Sequence, residues 1–413
     1  MKILLCHNYY QHSGGEDRVF ADEVWLLKSR GHDVQTFTLH NDSIQDRSKL
    51  AVAAETLWNR GVSRHLRNLV AREGFEVVHF HNTFPLISPA AYYAARAAGA
   101  AVVQTLHNFR LLCPQATFLR DGRICTDCLT RRVAWPAVVH GCYRGSRSAT
   151  ATLAASLSLH RALGTYQRAV DGYIALTDFA REMFTTGGRP AEKLTVKPNF
   201  VRAAPAVGTG AGGYALYVGR LSTEKGIDSL LAAWQELDAT TPLHIIGDGP
   251  LGPQVAAAVN RNPAIVWRGA LSSAEVEQAM RDATCLILPS TCYEGLPKTL
   301  VEAFSVGTPV IASRIGAFVE LVEPGRTGEL FTPGEPAELA RTVKNWFANR
   351  TDSHRMRQEA RAEFEASYTA ARNYDMLLAL YGQALHRRFP GRSVVEEDST
   401  PAVESTFDLA ART

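Results

Sequence analysis

Short apolar runs alternate along this chain with stretches in which apolar residues recur every three or four positions. The short runs predict β-strands and the longer stretches predict α-helices, an alternation typical of parallel sheets in α/β layers. In the first half, strands are predicted at 2–6, 33–38, 76–80, 101–106 and 172–175. The helices between them are predicted at 16–30, 49–72, 88–98 and 149–169.

The same alternation restarts after a segment dense in Ala, Pro and Gly that favours neither helix nor strand. Strands are then predicted at 214–218, 243–246, 265–267, 285–288 and 309–312, with helices at 226–237, 272–282, 298–306, 336–348, 352–365 and 369–388. The predicted organisation is a first doubly wound domain (1–200), a flexible linker (201–213), a second doubly wound domain (214–368), a helix that returns to the first domain (369–389) and a disordered tail (390–413).

Ligands of doubly wound sheets bind outside the carboxyl ends of the strands. Two such sheets that face each other therefore place a ligand in the cleft between them. We expect the residues that carry chemistry to follow the predicted strands, on the cleft side of each domain.

Composition excludes several classes of protein. Of 413 residues, 46 % are hydrophobic and 21 % are charged, which excludes disorder throughout and coiled coil. Polar residues and prolines interrupt the longest charge-free run (77–95), so no membrane-spanning helix is expected. The apolar run at 3–6 is far too short for a signal peptide, which predicts a cytoplasmic protein.

Charge is unevenly distributed between the two halves. The whole chain carries a net charge of +3, but basic residues dominate the first 200 positions and acidic residues dominate the rest. This asymmetry predicts that the first half faces an anion, such as a phosphate-bearing substrate or a membrane surface. It is too mild to indicate nucleic acid, which we do not expect as a partner.

A basic turn follows the first predicted strand of the second domain. Residues 219–226 read GRLSTEKG and lead into a helix. Arg220 can donate to two oxygens of one anion, Lys225 adds a second positive charge, and the helix N-terminus adds a partial one. This arrangement is typical of a phosphate clamp, although a solvated loop with two surface cations would look the same.

Two glutamates flank a second helix start in the same domain. Glu294 lies in a loop after a predicted strand, and Glu302 lies inside the helix that Pro297 opens. The free backbone amides of residues 298–300 (Lys298, Thr299 and Leu300) could hold a diphosphate, while Glu302 could bind a ribose diol and Glu294 a sugar hydroxyl. The alternative interpretation is that Glu294 and Glu302 are two unrelated surface acids.

Two weaker signals lie in the first domain. Gly14 and Gly15 open the helix after the first strand, where their amides could approach a phosphate. This is not a G-x-G-x-x-G sequence, so nicotinamide binding gains little support. His107 follows another strand at the same edge, where a structural histidine is the alternative reading.

Taken jointly, these motifs resemble the family 4 retaining glycosyltransferases, whose fold is the two-domain GT-B architecture. The resemblance spans nearly the whole chain up to the last helices. It rests on Gly14-Gly15-Glu16, His107-Asn108, Gly219-Arg220, Lys225-Gly226, Gly247-Asp248-Gly249-Pro250, Glu294-Gly295-Leu296-Pro297, Glu302-Ala303 and Gly307-Thr308-Pro309-Val310-Ile311-Ala312. The chain departs from many relatives at Asn108, where they carry Asp, and at Leu296-Pro297, where they carry Phe-Gly.

The resemblance implies roles for particular residues. Arg220 and Lys225 are implied to hold the donor diphosphate, Glu302 the ribose, and Glu294 the transferred sugar. The catalytic set implied is His107, Lys225, Arg220 and Glu294. The donor-binding set implied is Gly14, Gly15, Asn199, Arg220, Lys225, Gly247, Arg268, Gly269, Glu294, Gly295, Leu296, Lys298, Thr299, Leu300 and Glu302.

The activity implied is transfer of a sugar from a UDP- or GDP-sugar to a saccharide or lipid-linked acceptor in cell-envelope or exopolysaccharide assembly. Retention of configuration is implied to proceed by attack on the same face of the sugar. No Asp-x-Asp metal signature falls in a suitable loop, so we expect catalysis to need no metal and no other cofactor.

Four cysteines fall in one insertion, at about 107–148. Cys113, Cys125, Cys128 and Cys142 have the spacing C-x11-C-x2-C-x13-C, which suits a closed tetrahedral zinc site with a structural role. His140 could replace one of them as a ligand. Free thiols and disulfides remain alternatives, the latter disfavoured in a cytosolic chain.

Two basic stretches suggest contact with an anionic membrane. Residues 129–170 contain six arginines with interleaved aromatics and no acid, and 49–72 is amphipathic and basic. Packing of 49–72 on the sheet would explain its apolar stripe equally well. The membrane hypothesis places the protein at the inner face of the plasma membrane, near a lipid-linked acceptor.

Other functions are compatible with parts of the pattern. An epimerase acting on nucleotide sugars, or a phosphorylase, would use the same fold. A non-catalytic scaffold would use only the cysteines and the basic stretch. Binding of a nucleotide separates the first group from the scaffold, and the need for an acceptor separates transfer from epimerisation.

Overall fold

Two parallel sheets organise the chain. The computed structural model describes residues 1–11 and 14–391, and residues 350–353 by their backbone alone. Each of the two main sheets has six strands, all parallel, with helices on both faces, as predicted. The tail that the sequence predicts to be disordered lies, from residue 392 onward, outside the described residues.

The strands of the first half are β1 (Lys2–Tyr9), β2 (Asp33–His40), β3 (Val77–Phe80), β4 (Ala101–Leu106), β5 (Leu119–Arg120), β6 (Arg123–Ile124), β7 (Gly172–Ala175) and β8 (Leu194–Val196). Those of the second half are β9 (Ala215–Val218), β10 (Leu243–Ile246), β11 (Ile265–Trp267), β12 (Cys285–Leu288), β13 (Val310–Ser313) and β14 (Gly328–Phe331).

The α-helices are α1 (Gly15–Ser29), α2 (Lys49–Trp58), α3 (Arg60–Glu73), α4 (Ala90–Ala97), α5 (Trp135–His140), α6 (Arg147–Ala162), α7 (Thr165–Arg168), α8 (Asp178–Thr186), α9 (Ile227–Glu236), α10 (Gly252–Arg261), α11 (Ser273–Asp282), α12 (Lys298–Ser305), α13 (Phe318–Leu321), α14 (Pro336–Ala348), α15 (Arg350–Ser367) and α16 (Ala370–Arg388). Short 3₁₀ turns lie at Asn41–Ile44, Ala191–Lys193 and Thr223–Lys225.

Strand order differs between the two sheets. The first runs β2-β1-β3-β4-β7-β8, so the order reverses between β1 and β3. The second runs β11-β10-β9-β12-β13-β14 and reverses between β9 and β12. A reversal opens a crevice at the carboxyl ends of the two strands, and this is where such sheets bind ligands.

Strand β1 shows how each sheet is buried on both faces. Ile3 and Leu5 belong to one hydrophobic cluster, while Leu4 and Cys6 belong to another on the opposite face. All four side chains are fully buried. Near-continuous apolar runs of this kind are what a parallel sheet between two helical layers requires.

The stretch predicted as one helix at 49–72 is two helices. Asn59 separates α2 from α3, and its side-chain oxygen accepts a hydrogen bond from the Val62 N–H at 3.0 Å. Asn is a strong N-cap residue, so it starts a new helix where the apolar pattern alone continues the old one. The short edge strands β8 and β14 were not predicted from the sequence at all.

The segment 201–213, predicted to be a flexible linker, packs closely on the second domain. Gly208 donates to the Val306 carbonyl at 2.9 Å, and Gly212 donates to the Asp282 carbonyl at 2.9 Å. A side chain at Gly208 would lie only 2.2 Å from the Arg281 carbonyl oxygen. Glycines here permit close backbone approach, so their abundance reflects tight packing and not flexibility.

Helix α16, the last that the structure describes, packs on the first sheet. Its Tyr381 hydroxyl lies 2.8 Å from Nδ1 of His79, and Ala384 and Leu380 contact the Gly172 position. Just before it, Val201 and Thr369 form an isolated parallel bridge. The chain thus crosses between the two halves twice, at neighbouring points.

Candidate active site

The basic turn after β9 is held against the loop after β12. Gly226 has a positive φ of 76°, and a side chain there would lie 1.8 Å from the Pro289 carbonyl oxygen. The Thr291 N–H donates to the Glu224 carbonyl at 3.0 Å. Because only glycine fits at 226, the turn brings Lys225 beside the end of β12.

Lys225 and Glu294 form an ion pair at this crevice. Their Nζ and Oε2 atoms are 2.6 Å apart, and the Ser290 hydroxyl donates to the other oxygen of Glu294. Burial acts to lower the pKa of Lys225, but the charge and hydrogen bond of Glu294 outweigh burial and the pKa is raised. Lys225 is therefore a permanent cation, with about a third of its side chain exposed (32 %).

Two further loops of the second sheet stack beside this turn. Gly247 has a φ of 134°, and a side chain there would lie 1.9 Å from the Gly219 carbonyl oxygen. The Gly247 N–H donates to the Gly269 carbonyl at 2.8 Å. These contacts align the ends of β9, β10 and β11, and they leave the side chains of Arg220 and Arg268 exposed.

Helix α12 begins at Lys298, directly after Pro297. The Leu300 N–H donates to the Pro297 carbonyl at 3.1 Å, so the prediction that this amide is free to bind a diphosphate is wrong. The Lys298 side chain crosses the cleft and donates to Asp22 of α1. The N-terminus of α12 therefore faces the first domain.

Glu302 lies one turn further along α12, at the same junction. Burial raises the pKa of its carboxyl, while the positive charges of Lys298 and Arg18 act in the opposite direction. Arg18 belongs to the helix that Gly14 and Gly15 open. The predicted ribose ligand and the glycine turn thus lie on facing sides of one cleft.

The glycine turn itself is held by Asp17. The Gly14 N–H donates to Asp17 Oδ2 at 2.9 Å, and Asp17 Oδ1 lies 2.7 Å from Nε2 of His7 in β1. Of the residues that the structure describes, none places an atom within 4 Å of where the side chains of Gly14 and Gly15 would stand, apart from their chain neighbours and the backbone of α1. The turn is fixed at its base and open toward the cleft.

Beside this turn, the half-buried Glu16 lies against the segment after β4. The Asn108 side-chain amide donates to Glu16 Oε2 at 3.1 Å. Burial raises the pKa of Glu16 to about 7, although hydrogen bonds from Tyr10 and the charge of Arg110 act to lower it. Asn108 therefore binds the carboxyl of α1, which an aspartate at the same place would repel.

His107 contacts a cluster of buried histidines through its Nε2 atom. Nε2 of His107 lies 2.9 Å from Nδ1 of His81, and Nε2 of His81 lies 3.0 Å from Glu23 Oε2. Burial lowers the pKa of His107 well below its ordinary value, and the neighbouring histidines lower it further. His107 is therefore neutral near pH 7, and only its Nδ1 remains for a ligand.

Glu23 is the centre of this cluster. Its carboxylate also binds the Lys197 ammonium at 2.6 Å and lies 3.5 Å from Nδ1 of His79. A metal site would require at least three potential ligand atoms close together. Within residues 1–11 and 14–391, one group of His, Cys, Asp and Glu side chains has three such atoms within 4.8 Å of one another, and it consists of Glu23, His79 and His81. Lys197 already supplies the positive charge that a buried carboxylate needs.

The loop that carries Glu294 docks on the first domain. The Thr177 hydroxyl donates to the Gly295 carbonyl at 3.2 Å, and the Asn199 amide donates to the Leu296 carbonyl at 3.0 Å. A side chain at Gly295 would lie 3.0 Å from the His107 carbonyl oxygen. His107 and Glu294 are thus brought to one junction by backbone contacts.

Several residues of this site were not predicted from the sequence. Glu23, His81 and Lys197 support His107, but each belongs to a different element and none forms a motif. The available signal was His79-x-His81 at the end of a strand, together with Glu16 and Glu23 seven apart on one face of a helix.

A surface cavity of 550 Å³ between α8 and Glu320 includes none of the predicted site residues.

Of the other predicted features, the cysteine cluster lies in a small module built from the hairpin of β5 and β6 and helix α5. Cys113, Cys125, Cys128 and Cys142 line one small cavity there, and none of them is in a disulfide. Among the described helices, none combines the length and the apolar character that crossing a membrane would demand.

Both halves of the chain match models of glycosyltransferase families. A model described as Glycosyltransferase Family 4 matches residues 13–204, and a model described as Glycosyl transferases group 1 matches residues 212–349. The chain is 31 % identical over 260 residues to the 2-deoxystreptamine glucosyltransferase of Streptomyces kanamyceticus, a match covering 61 % of this chain and 62 % of that protein. It is 32 % identical over 183 residues to a lipopolysaccharide 1,6-galactosyltransferase of Salmonella typhimurium, covering 40 % and 49 %.

The chain thus spans less than two thirds of the length of these two relatives. Among solved structures, Alr3699/HepE of Anabaena, in complex with UDP, has a TM-score of 0.67 at 18 % identity and covers 92 % of this chain and 100 % of that one. A sucrose-phosphate synthase of Thermosynechococcus elongatus has a TM-score of 0.71 at 16 % identity, covering 93 % and 99 %. These likenesses establish the two-domain GT-B fold. With both halves matched in order by their domain models, the chain belongs to the group 1 glycosyltransferases of family 4.

Proposed function

We propose that the protein transfers a sugar from a nucleotide diphosphate, a UDP- or GDP-sugar, to a saccharide or lipid-linked acceptor with retention of configuration. The observation that carries this proposal is the 2.6 Å pair of Lys225 and Glu294 at the β9/β12 crevice, beside the Gly295 contact with His107. A cation next to a carboxylate offers one group for a diphosphate and one for sugar hydroxyls.

Stabilisation of the leaving group is the role proposed for the cations. Breaking the anomeric bond places negative charge on the diphosphate, which Lys225, Arg220 and the start of α12 can neutralise. The Arg220 side chain is exposed at the turn, so a ligand can reach it from solvent. We propose that these groups act in place of a divalent metal.

Glu294 is proposed as a ligand of the transferred sugar and not as a nucleophile. Its two oxygens already bind Lys225 and Ser290, which fixes the carboxylate in place. In the proposed reaction the diphosphate accepts the acceptor's proton, and attack occurs on the face that the diphosphate leaves. Neutral His107 then offers Nδ1 to a hydroxyl of the sugar.

The remaining donor contacts follow from the cleft. Glu302 faces α1 and is proposed to accept hydrogen bonds from the ribose, while the backbone at Arg268 and Gly269 is proposed to meet the base. UDP is the first candidate because the structural relative Alr3699/HepE was solved with UDP. Both curated relatives named above carry hexosyltransferase names, which supports a hexose as the group transferred.

A ligand panel tests this proposal. We expect UDP or GDP to raise the melting temperature of the protein selectively, whereas ADP and NAD do not. Saturation at about 100 times the dissociation constant adds roughly 2.7 kcal/mol of stability. Glu302→Ala should weaken nucleotide binding by about 1.5–3 kcal/mol, whereas the exposed Lys344→Ala in the same domain should bind normally.

Two outcomes contradict the proposal, and a third contradicts the role of Glu302 alone. Binding of NAD alone would mean that the cleft holds a different cofactor. Conversion of the donor sugar without any acceptor would indicate epimerisation in place of transfer. Unchanged nucleotide affinity in Glu302→Ala would remove Glu302 from the donor site.

For the acceptor, we propose contact with an anionic membrane through the module that contains α5. Val133, Trp135 and Val139 are exposed there, and the Arg131 guanidinium lies 5.3 Å from the centre of the Trp135 ring. Apolar side chains bordered by arginines suit an anionic lipid surface. Co-sedimentation with anionic vesicles at low and moderate salt tests this, and no pelleting in either buffer contradicts it.

A further inference from the structure

We propose that Cys113, Cys125, Cys128 and Cys142 form a tetrahedral structural zinc site, and that this site braces the turn on which the Glu294 loop rests. The four side chains converge although 11 and 13 residues separate the outer two from the central pair. They line one cavity of about 10 Å³, roughly the space of a single small occupant, and all four thiols are free. A closed set of four sulfur ligands is typical of structural zinc.

Backbone donors point at these sulfur atoms. The Ala116 N–H donates to the Cys113 carbonyl at 2.8 Å, the N–H groups of Gln115 and Phe118 lie near the Cys113 sulfur, and that of Ala137 lies near the Cys128 sulfur. N–H groups near a sulfur suit a thiolate, which is the form that ligates a metal. The turn after Cys113 thus presents backbone N–H groups on the side of its sulfur.

Mutual repulsion explains why a cation belongs in the centre. Four adjacent thiolates cannot coexist without a positive charge among them, and a divalent cation removes that penalty.

The backbone of the module also needs an anchor. Ala116, Phe118, Asp121 and Arg144 have positive φ angles of 75°, 53°, 50° and 56°, a conformation that side chains disfavour. The local core around Cys128 consists of small residues, Ala134, Ala137 and Ala154. A metal supplies the cross-linking that such a small core lacks.

Metal binding requires the sulfurs to close inward. Bound zinc holds its sulfur ligands about 3.8 Å apart, from Zn–S bonds of about 2.3 Å. Among the described residues, no three of these sulfurs lie within 4.8 Å of one another. The Gln115 side-chain amide, with its nitrogen facing the carbonyls of Cys142 and Leu119 at 2.9 and 3.2 Å, already ties the outer segments together.

The module touches the donor loop directly. The Tyr293 N–H donates to the Thr117 carbonyl at 3.1 Å, and the Tyr293 ring packs on Phe118 with centroids 5.9 Å apart. Thr117 lies within the turn that follows Cys113, and Tyr293 precedes Glu294. Zinc therefore fixes the surface that positions Glu294, a consequence that rests on the proposed function.

Metal analysis tests the site without any activity measurement. Wild-type protein purified without chelator should hold about one zinc per chain, and Cys285→Ala, which changes a cysteine outside the cluster, should hold the same. Cys125→Ser and Cys128→Ser should lose most of it. Cobalt substituted for zinc should show the intense charge-transfer and d–d bands of four thiolate ligands.

The site is overturned if wild-type protein holds no zinc after reconstitution, if iron occupies it, or if both serine variants keep their zinc. Should the variants fail to fold, titration of wild-type protein with a mercurial reagent decides the matter. Zinc release in step with modification of four thiols supports the site, and modification without zinc release overturns it.

The link to the donor loop has its own readout. Zinc removal from wild-type protein should weaken UDP or GDP binding several-fold while the circular dichroism of the two sheets is unchanged. Unchanged nucleotide affinity after zinc removal overturns the link but leaves the metal site standing. Absence of nucleotide binding in the zinc-loaded protein contradicts the proposed function and not the metal site.

Discussion

The crevices of the two sheets are built on opposite principles. At the β1/β3 crevice, Glu23, His79, His81 and Lys197 are buried, and Glu23 lies within ion-pair distance of the other three. At the β9/β12 crevice the cations lie in partly or fully exposed turns, and Lys225 is held by Glu294. The first arrangement is a buried set of groups that face one another, whereas the second consists of charges whose partners a ligand can replace.

This difference assigns separate tasks to the two crevices. A buried network of charges is costly to disturb, because each group left without its partner remains desolvated. Substitutions in this network should therefore lower the folding stability. Changes at exposed or exchangeable charges should appear in rate and binding, with little effect on stability.

The largest effect is expected when the first network is broken. Glu23→Gln leaves the buried Lys197 ammonium without its carboxylate, which should lower the free energy of unfolding by about 3–5 kcal/mol. Urea denaturation measures this loss. The exposed Glu236→Gln should be close to wild type, and a loss below about 1 kcal/mol in Glu23→Gln would show that the network is dispensable.

Next in size is the effect of removing the cation from the second crevice. Lys225→Ala should lower kcat by about 10²–10³-fold, because the charge on the leaving group grows toward the transition state, and should change the donor KM less. Its free energy of unfolding should change by less than about 1 kcal/mol. Steady-state kinetics beside Lys344→Ala check this, and an equal kcat in both variants would refute the role.

A smaller effect is expected where the two crevices meet. Gly295→Ala places a methyl group 3.0 Å from the His107 carbonyl oxygen, which should push the Glu294 loop away from the first domain. We expect kcat/KM to fall about tenfold, because the reacting groups are then misaligned. Gly382→Ala, where a side chain would meet no atom of the described residues within 4 Å, serves as the control. Equal kinetics in the two variants would exclude the Gly295 contact as a determinant.

The smallest expected effect is a pH dependence of stability from the first crevice. Burial lowers the pKa of His79 well below 6.5, so below that pH the unfolded chain binds a proton that the folded protein excludes. The free energy of unfolding should therefore fall by about 1.4 kcal/mol per pH unit for this histidine as the pH drops. Denaturation at several pH values tests whether His79→Gln flattens the slope while the exposed His40→Gln does not.

Other groups of the same crevice modify that slope. Glu23 favours protonation of His79, whereas His81 and Lys197 oppose it. Glu16, with a pKa raised to about 7, acts in the opposite sense because the folded protein keeps its proton between pH 4.5 and 7. Glu16→Gln should accordingly make the slope steeper.

The fold could be predicted because each buried strand leaves a local apolar signal. The two-sheet arrangement is confirmed, and most central strands lie within a few residues of their predicted positions. The errors have local physical causes. Asn59 caps a new helix inside one apolar stripe, and the glycines of 201–213 pack tightly where composition suggested flexibility.

The candidate site divides in the same way. Lys225, Glu294 and Glu302 could be named because turns and helix starts mark them locally, and their roles stay predictions. Glu23 and His81 could not, because their meaning depends on α1 packing against β3, which no spacing in the sequence encodes. The Leu300 amide was misjudged because its turn-type bond to Pro297 is a matter of backbone geometry.

The paired crossings at Val201 and Thr369 have a mechanical consequence. Two backbone segments joined by a bridge resist shear and torsion far better than one, but they still allow rotation about the line on which both lie. The second domain is thus connected to the first by two neighbouring backbone segments. We expect any rotation between the domains to occur about this bridge, so that the contact of Gly295 with the His107 carbonyl is remade whenever the domains come together.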